Sequence, residues 1–235
     1  MATFALVHGA YHRGAHFDLL AAALRTGGHR VVAPDLPATD RHAGAAACAR
    51  VVADATREAI GDADDVVVVG HSMGGLTAPV VATLRPVRGI VYLAALIPEP
   101  GRSFDDVSWH ESQIPAPYEA QTHPLAAEDG SARVTAARAA EVFFHDCPWE
   151  RQRWATSLMR PQHWRVLHEP CPLEAMPDVP SSFIACRADR VVNPAWIARI
   201  ARDRFDSEPV EIEGGHSPAI ARPDDLAAIL GDLAE

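Results

Sequence analysis

Apolar and polar positions along the first hundred residues switch between two periods, and the switching predicts alternating strands and helices. Residues 4–7 form a short apolar run that stops at His8-Gly9 and reads as a strand. Across 15–26, Phe17, Leu20 and Leu24 fall on one helical face, and Gly27-Gly28 closes that helix. Residues 30–33 read as the next strand, ended by Pro34, and 45–60 show helical spacing with Val51, Val52 and Ile60 apolar. Residues 65–70 contain four consecutive valines, the composition of a strand buried on both faces. The segment after Ser72 is expected to be helical to Leu84, bent by Pro79 inside it. Residues 89–96 form another buried strand. Strand–helix alternation with short connections implies an α/β fold on a mostly parallel sheet.

The rhythm stops at Pro98-Glu99-Pro100-Gly101 and returns near Pro180. Between them the chain is polar, aromatic and proline-rich, with helices expected at 131–146 and 148–159. Four of the five tryptophans (Trp109, Trp149, Trp154 and Trp164) lie in this stretch. It is read as a cap of residues 101–179 inserted into an α/β core of residues 1–100 and 180–235. The core resumes with a strand at 182–186. A helix to about Arg204 follows, opened by Asn193 as cap and Pro194 in its first turn. A last strand at 209–212 leads to a final helix from near Pro223, with Leu226, Ile229, Leu230 and Leu233 facing inward.

Chemistry concentrates at the ends of these strands. Gly70-His71-Ser72-Met73-Gly74 follows the valine strand and precedes a helical segment, which places Ser72 on a tight, exposed turn as a candidate nucleophile. His216 lies in Glu213-Gly214-Gly215-His216-Ser217, between the last strand and last helix, where an imidazole can reach the serine as base. Asp189, after the strand that ends at Cys186, is the preferred acid; Glu99, after the preceding strand, competes for that role. The order Ser, Asp, His suits such a fold. Amides of Ala10 and Met73 are candidates for an oxyanion hole, because one follows the first strand and the other follows the serine. Tyr11, Trp109, Phe144 and Trp154 are candidates for an apolar substrate wall. His145-Asp146-Cys147 carries metal-ligand residue types but is better read as helix-start chemistry before Pro148, and no metal is expected.

Composition narrows the classes. The 235 residues carry 21 basic and 31 acidic side chains for a net charge of −10, so no basic surface for nucleic acid is expected. No apolar run reaches membrane-spanning length, and membrane partners are not expected. The basic residues are all arginine, and without lysine there is no Schiff-base or P-loop lysine chemistry. Four scattered cysteines form no disulfide or zinc pattern, and the chain starts directly in a strand, so a cytoplasmic protein with reduced thiols is expected. Oligomeric state stays open, a homodimer included.

Five segments together resemble α/β-hydrolases of the plant methylesterase and hydroxynitrile lyase type and their bacterial esterase-like relatives. They are LVHGAYH at 6–12, GGHRVVAPDL at 27–36, GHSMGG at 70–75, IVYLAALIPEPG at 90–101 and EGGHS at 213–217. The resemblance implies a six-stranded, mostly parallel sheet flanked by helices, with an inserted helical cap. It implies Ser72, Asp189 and His216 as a catalytic triad and the Ala10 and Met73 amides as the oxyanion hole. It also implies cleavage of a small-molecule ester or lactone through an acyl-enzyme, with no cofactor. Two alternatives stand beside this: a lyase or cyclase using His216 as base, and a small-molecule receptor of hydrolase descent. Lyases of the group can place a lysine beside the histidine, where this chain has Ser217, so cyanohydrin cleavage is not expected.

Overall fold

The computed structural model of the chain describes residues 1–63, 65–108 and 125–235, so Trp109 lies outside the described residues. Its main sheet has six strands: β1 Thr3–Val7, β2 Arg30–Val32, β3 Val66–His71, β4 Gly89–Leu93, β7 Ser181–Cys186 and β8 Val210–Ile212. The spatial order is β2-β1-β3-β4-β7-β8, and every neighbouring pair is parallel. The remaining strands, β5 Leu125–Ala126 and β6 Ala132–Arg133, form a separate antiparallel pair.

The valine run shows how sequence becomes a two-faced sheet. Side chains alternate across a strand, so Val66 and Val68 enter one apolar cluster while Val67 and Val69 enter the other. β1 divides in the same way, with Ala5 and Val7 on the first side and Phe4 and Leu6 on the second. The first cluster is covered by α2 Ala45–Ile60, α3 Ala78–Val81 and α8 Pro194–Phe205. α1 Asp18–Thr26, α9 Pro218–Ala221 and α10 Pro223–Leu233 cover the second, through Leu20, Leu24, Ala219, Leu226 and Leu230. Full burial of each such leucine contributes about 1.5–3 kcal/mol. Asn193 caps α8 by accepting the Ala195 amide at 3.0 Å, with Pro194 in the first turn.

Between β4 and β7 the chain leaves the sheet. It forms α4 Phe104–Ser108, the β5–β6 pair, α5 Ala136–Val142, α6 Trp149–Leu158 and α7 Arg165–His168. A third apolar cluster joins Ala139, Phe144, Cys147 and Ala155 of this segment to Ile220 of α9, which ties it to the sheet's helices. α5 starts later than residue 131 because Ala132–Arg133 pair as a strand and Thr135 Oγ1 caps the helix by accepting the Arg138 amide. Among the described residues no helix is long and apolar enough to cross a membrane.

Several elements differ in detail from the pattern reading. The expected helix from Ser72 to Leu84 is two pieces, a 3-10 turn Ser72–Leu76 and then α3. Pro79 therefore occupies the first turn of α3, where its missing N–H costs nothing, and it bends no helix. β4 stops at Leu93, three residues before Leu96, because Ala94 adopts φ +45° and turns the chain away. The first helix of the expectation likewise splits, into a 3-10 turn Gly14–Phe17 followed by α1.

Candidate active site

Ser72 sits at the abrupt end of β3 with φ +54°, a left-handed conformation that costs a non-glycine residue about 1–3 kcal/mol. The surroundings enforce it. The Leu96 amide donates to the Ser72 carbonyl at 3.0 Å, tying the turn to the chain beyond β4. A Cβ on Gly74 would stand 2.3 Å from the Val7 carbonyl oxygen, so only glycine lets the turn pack against the end of β1. Gly9 approaches from that same end, where a Cβ would meet Ser72 Cβ at 2.7 Å. Because Val7 pairs with Gly70 in the sheet, the turns carrying Ala10 and Met73 emerge side by side. Ala10 is partly buried and Met73 buried.

His216 and Asp189 form a buried pair. His216 Nδ1 lies 2.8 Å from Asp189 Oδ2 and 3.1 Å from Oδ1, with both side chains fully sequestered from water. Asp189 Oδ1 also accepts the Val191 and Val192 amides at 2.7 and 3.1 Å, which fixes the carboxylate in a turn after β7. The backbone of that turn is stitched to the histidine loop by Ala188 N–H donating to the Gly214 carbonyl at 2.9 Å. With the Nδ1 proton given to Asp189, the free lone pair is on Nε2, a buried atom with no hydrogen-bond partner among the described residues. Glu99, the competing acid, is elsewhere: it faces Arg102 at 3.2 Å on the surface. The carboxylate bonded to His216 is Asp189.

His71, inside the nucleophile motif, donates from Nε2 to the His216 carbonyl at 2.8 Å, and the two rings are 4.8 Å apart. Serine turn and histidine loop are thus hydrogen-bonded to each other. Burial pushes His71 down to about 3 from the ordinary 6.5, so it is a neutral donor and not a second base. His8 is similar. Its Nε2 accepts the Leu36 amide at 3.0 Å, Nδ1 contacts the Gly9 carbonyl at 2.9 Å, and burial lowers its pKa to about 3.

The segment between β4 and β7 grips the turn after β1. Arg160 donates to the His12 carbonyl at 2.9 Å and the Leu36 carbonyl at 2.7 Å, and its amide donates to the Tyr11 carbonyl at 3.0 Å. Gln162 Oε1 accepts the Tyr11 amide at 3.3 Å. Tyr11 tolerates φ +64° because both its backbone groups are held this way. A cavity of about 10 Å³, room for one water, lies beside Met73 and is lined by His8, Leu36, Thr77, Gln162 and Val166 among others.

The aromatic candidates separate. Tyr11 is buried, its ring edge-on to Trp164 at 5.4 Å and 6.2 Å from Phe143. Phe143 is 5.8 Å from His216 and is the phenylalanine that faces the candidate base. Phe144 is instead fully buried with Ala139, Cys147 and Ala155. Trp154 is half-buried on the outer side of that cluster, 6.3 Å from His16. Pattern reasoning missed Phe143 and Trp164 because both follow helix ends or precede helix starts, where a 3.6-residue period carries no phase. Asp146 does not serve the start of α6, whose cap is Pro148; it reaches across to the histidine loop and accepts the Gly215 amide at 2.7 Å. No cluster of three His, Cys, Asp or Glu suited to a metal occurs among the described residues.

Comparison with known proteins agrees with this fold. The model of the Alpha/beta hydrolase family matches residues 4–229. A carbendazim hydrolyzing esterase of Nocardioides sp. is 40% identical over 110 residues, which is 44% of this chain and 46% of the esterase. Similarity to the pyrethroid hydrolase of Sphingobium wenxiniae extends over 98% of this chain and 86% of that protein at 28% identity. Plant relatives include a methylesterase of Arabidopsis thaliana and salicylic acid-binding protein 2 of tobacco. Among solved structures, a pyrethroid hydrolase from Sphingobium faniae aligns with TM-score 0.79 and 25% identity, covering 99% of this chain and 97% of that one.

Proposed function

The chain belongs to the alpha/beta hydrolase family, and from that premise we propose that it is a serine hydrolase of small-molecule carboxylic esters or lactones. The observation that carries this reading is the sequestered His216–Asp189 pair, bonded at 2.8 Å, with its Nε2 left unpartnered beside the Ser72 turn. In the proposed reaction His216 Nε2 takes the Ser72 hydroxyl proton as Oγ attacks the ester carbon. Asp189 keeps the Nδ1 proton in place and stabilises the imidazolium. The carbonyl oxygen becomes an oxyanion facing the Ala10 and Met73 amides. The alcohol leaves with the proton from His216, and water, deprotonated by the same imidazole, releases the acid from Ser72.

The test is intact mass after exposure to a fluorophosphonate, followed by turnover of short-chain aryl esters, lactones, a pyrethroid and carbendazim. One label per chain is expected, at Ser72. Ser72→Ala is expected to abolish labelling and to lower turnover by about four to six orders of magnitude. Labelling of the variant at another residue contradicts the reading. Mandelonitrile tests the lyase alternative. The residue after His216 is Ser217, so serine-dependent release of aldehyde is expected to be negligible beside ester hydrolysis.

A further inference from the structure

The two glycines before His216 have no explanation in the proposed reaction. Gly214 has φ +103° and needs glycine for its conformation alone, but Gly215 is not in the left-handed region. What constrains Gly215 is space. A Cβ there would stand 2.4 Å from His145 Cε1 and 2.8 Å from Asp146 Oδ1. At Gly214 a Cβ would stand 2.4 Å from Asp146 Oδ2. Both positions lie bare so that His145 and Asp146, from the segment between β4 and β7, can rest directly on the loop backbone. The contact is a bond as well as a fit: Asp146 Oδ2 accepts the Gly215 amide at 2.7 Å, and Oδ1 is buried with no partner among the described residues.

His216 is then held from three sides: its ring by Asp189, its carbonyl by His71, and the amide just before it by Asp146. Asp189 and His71 each follow a strand of the main sheet or end one. Asp146 belongs instead to the segment that lies over the strand ends. We propose that Asp146 is a positioning residue, which sets where the His216 imidazole stands by accepting the Gly215 amide. This rests on the reading of His216 as the base. Accepting is the whole of the role. An amide oxygen at position 146 serves as well as a carboxylate, whereas a methyl group leaves the Gly215 N–H unpaired beside the site and the loop free to shift.

The test compares Asp146→Ala, Asp146→Asn and Gly215→Ala on a small aryl ester. In Asp146→Ala, kcat is expected to fall about ten- to hundredfold, the size of effect that follows displacement of a catalytic group by about 1 Å, while KM changes less than about twofold. The low-field proton resonance of His216 Nδ1–H should shift or broaden with it. Asp146→Asn should restore kcat to within about threefold of the parent, because its side-chain oxygen still accepts the amide. Gly215→Ala forces the same clasp apart and should copy the Asp146→Ala pattern, which keeps the test alive where Asp146→Ala does not fold. Parental kcat and an unchanged resonance in Asp146→Ala or Gly215→Ala overturn the proposal, as does Asp146→Asn as impaired as Asp146→Ala. Ser72→Ala is assayed alongside. If it retains activity, the reading of the site has failed; if it is inert while the clasp variants match the parent, only the role of Asp146 has.

Discussion

Asp189 Oδ1 is already engaged by the Val191 and Val192 amides, and this decides what an asparagine there would do. The asparagine oxygen keeps those two amides, so its NH2 group faces His216 Nδ1. Imidazole must then accept on Nδ1 and carry its proton on Nε2, the wrong tautomer for a base. Asp189→Asn is therefore expected to stay folded while kcat falls by about 10⁴, measured with an activated ester and circular dichroism. Phe143 and Phe144 make a second residue-scale contrast. Phe144→Ala removes a ring from a closed cluster and should cost about 3–5 kcal/mol of stability by denaturant titration. Phe143 only packs against the edge of that cluster, so Phe143→Ala should cost less stability and should instead alter KM and preference across an ester series, because its ring faces His216. The sequence displays two adjacent phenylalanines and no means to tell them apart. α5 ends at Val142, and past a helix end the direction of a side chain follows the turn it enters.

At the scale of elements, the turn after β3 was legible in outline and not in form. Glycines around a serine after a valine strand announce a sharp strand-to-helix turn, and the structure has one. The helix itself is broken at Thr77, which a propensity argument does not foresee. The break follows from packing: a Cβ on Gly75 would stand 2.2 Å from the Leu96 carbonyl, so this stretch is pressed against the chain leaving β4. Gly74→Ala is expected to destabilise the protein by about 1–3 kcal/mol, read from the denaturation midpoint. A midpoint equal to the parent's would mean that β1 and the turn separate more easily than a Cβ 2.3 Å from the Val7 carbonyl oxygen implies. Trp149 marks the opposite extreme. It is 68% exposed, and its replacement by alanine should leave both stability and turnover unchanged.

Across the whole molecule, four histidines lie buried beside the candidate triad. His12 and His16 rings are 4.4 Å apart, and His12 and His71 rings 5.8 Å apart. Burial lowers His8 and His71 to about 3 and His16 to about 4 from an ordinary 6.5, and pushes His12 well below it. The sign of the consequence follows from proton counting. Between pH 6.5 and the folded values, the unfolded chain binds protons that the folded protein refuses, so acid favours unfolding. The stability is fully present above pH 6.5 and drains away as pH falls toward 3 to 4. Each such histidine contributes up to about 2 kcal/mol of loss between pH 6.5 and 5. Denaturant titrations at pH 7.5 and 5.0 should show a marked fall, and His16→Gln should make it shallower. A free energy of unfolding that is flat over this range would show these rings to be charged or solvated.

Alternation across strands, the two-faced valine run, the serine turn and the histidine loop were all determined by the sequence, because each depends on neighbours a few residues away. Strand order was not, since parallel pairing joins segments with long stretches of chain between them. The carboxylate against His216, 27 residues distant, was preferred but not decided there, for Asp189 and Glu99 both follow a strand and only packing sets one against His216 and the other against Arg102 on the surface. The clasp of Asp146 on Gly215 spans 69 residues and the bond from His71 to the His216 carbonyl spans 145. Such partners have no period or spacing to betray them. They meet because parallel pairing brings the ends of β3, β7 and β8 to one side of the sheet and the segment between β4 and β7 packs against the histidine loop there, a fact of tertiary packing alone.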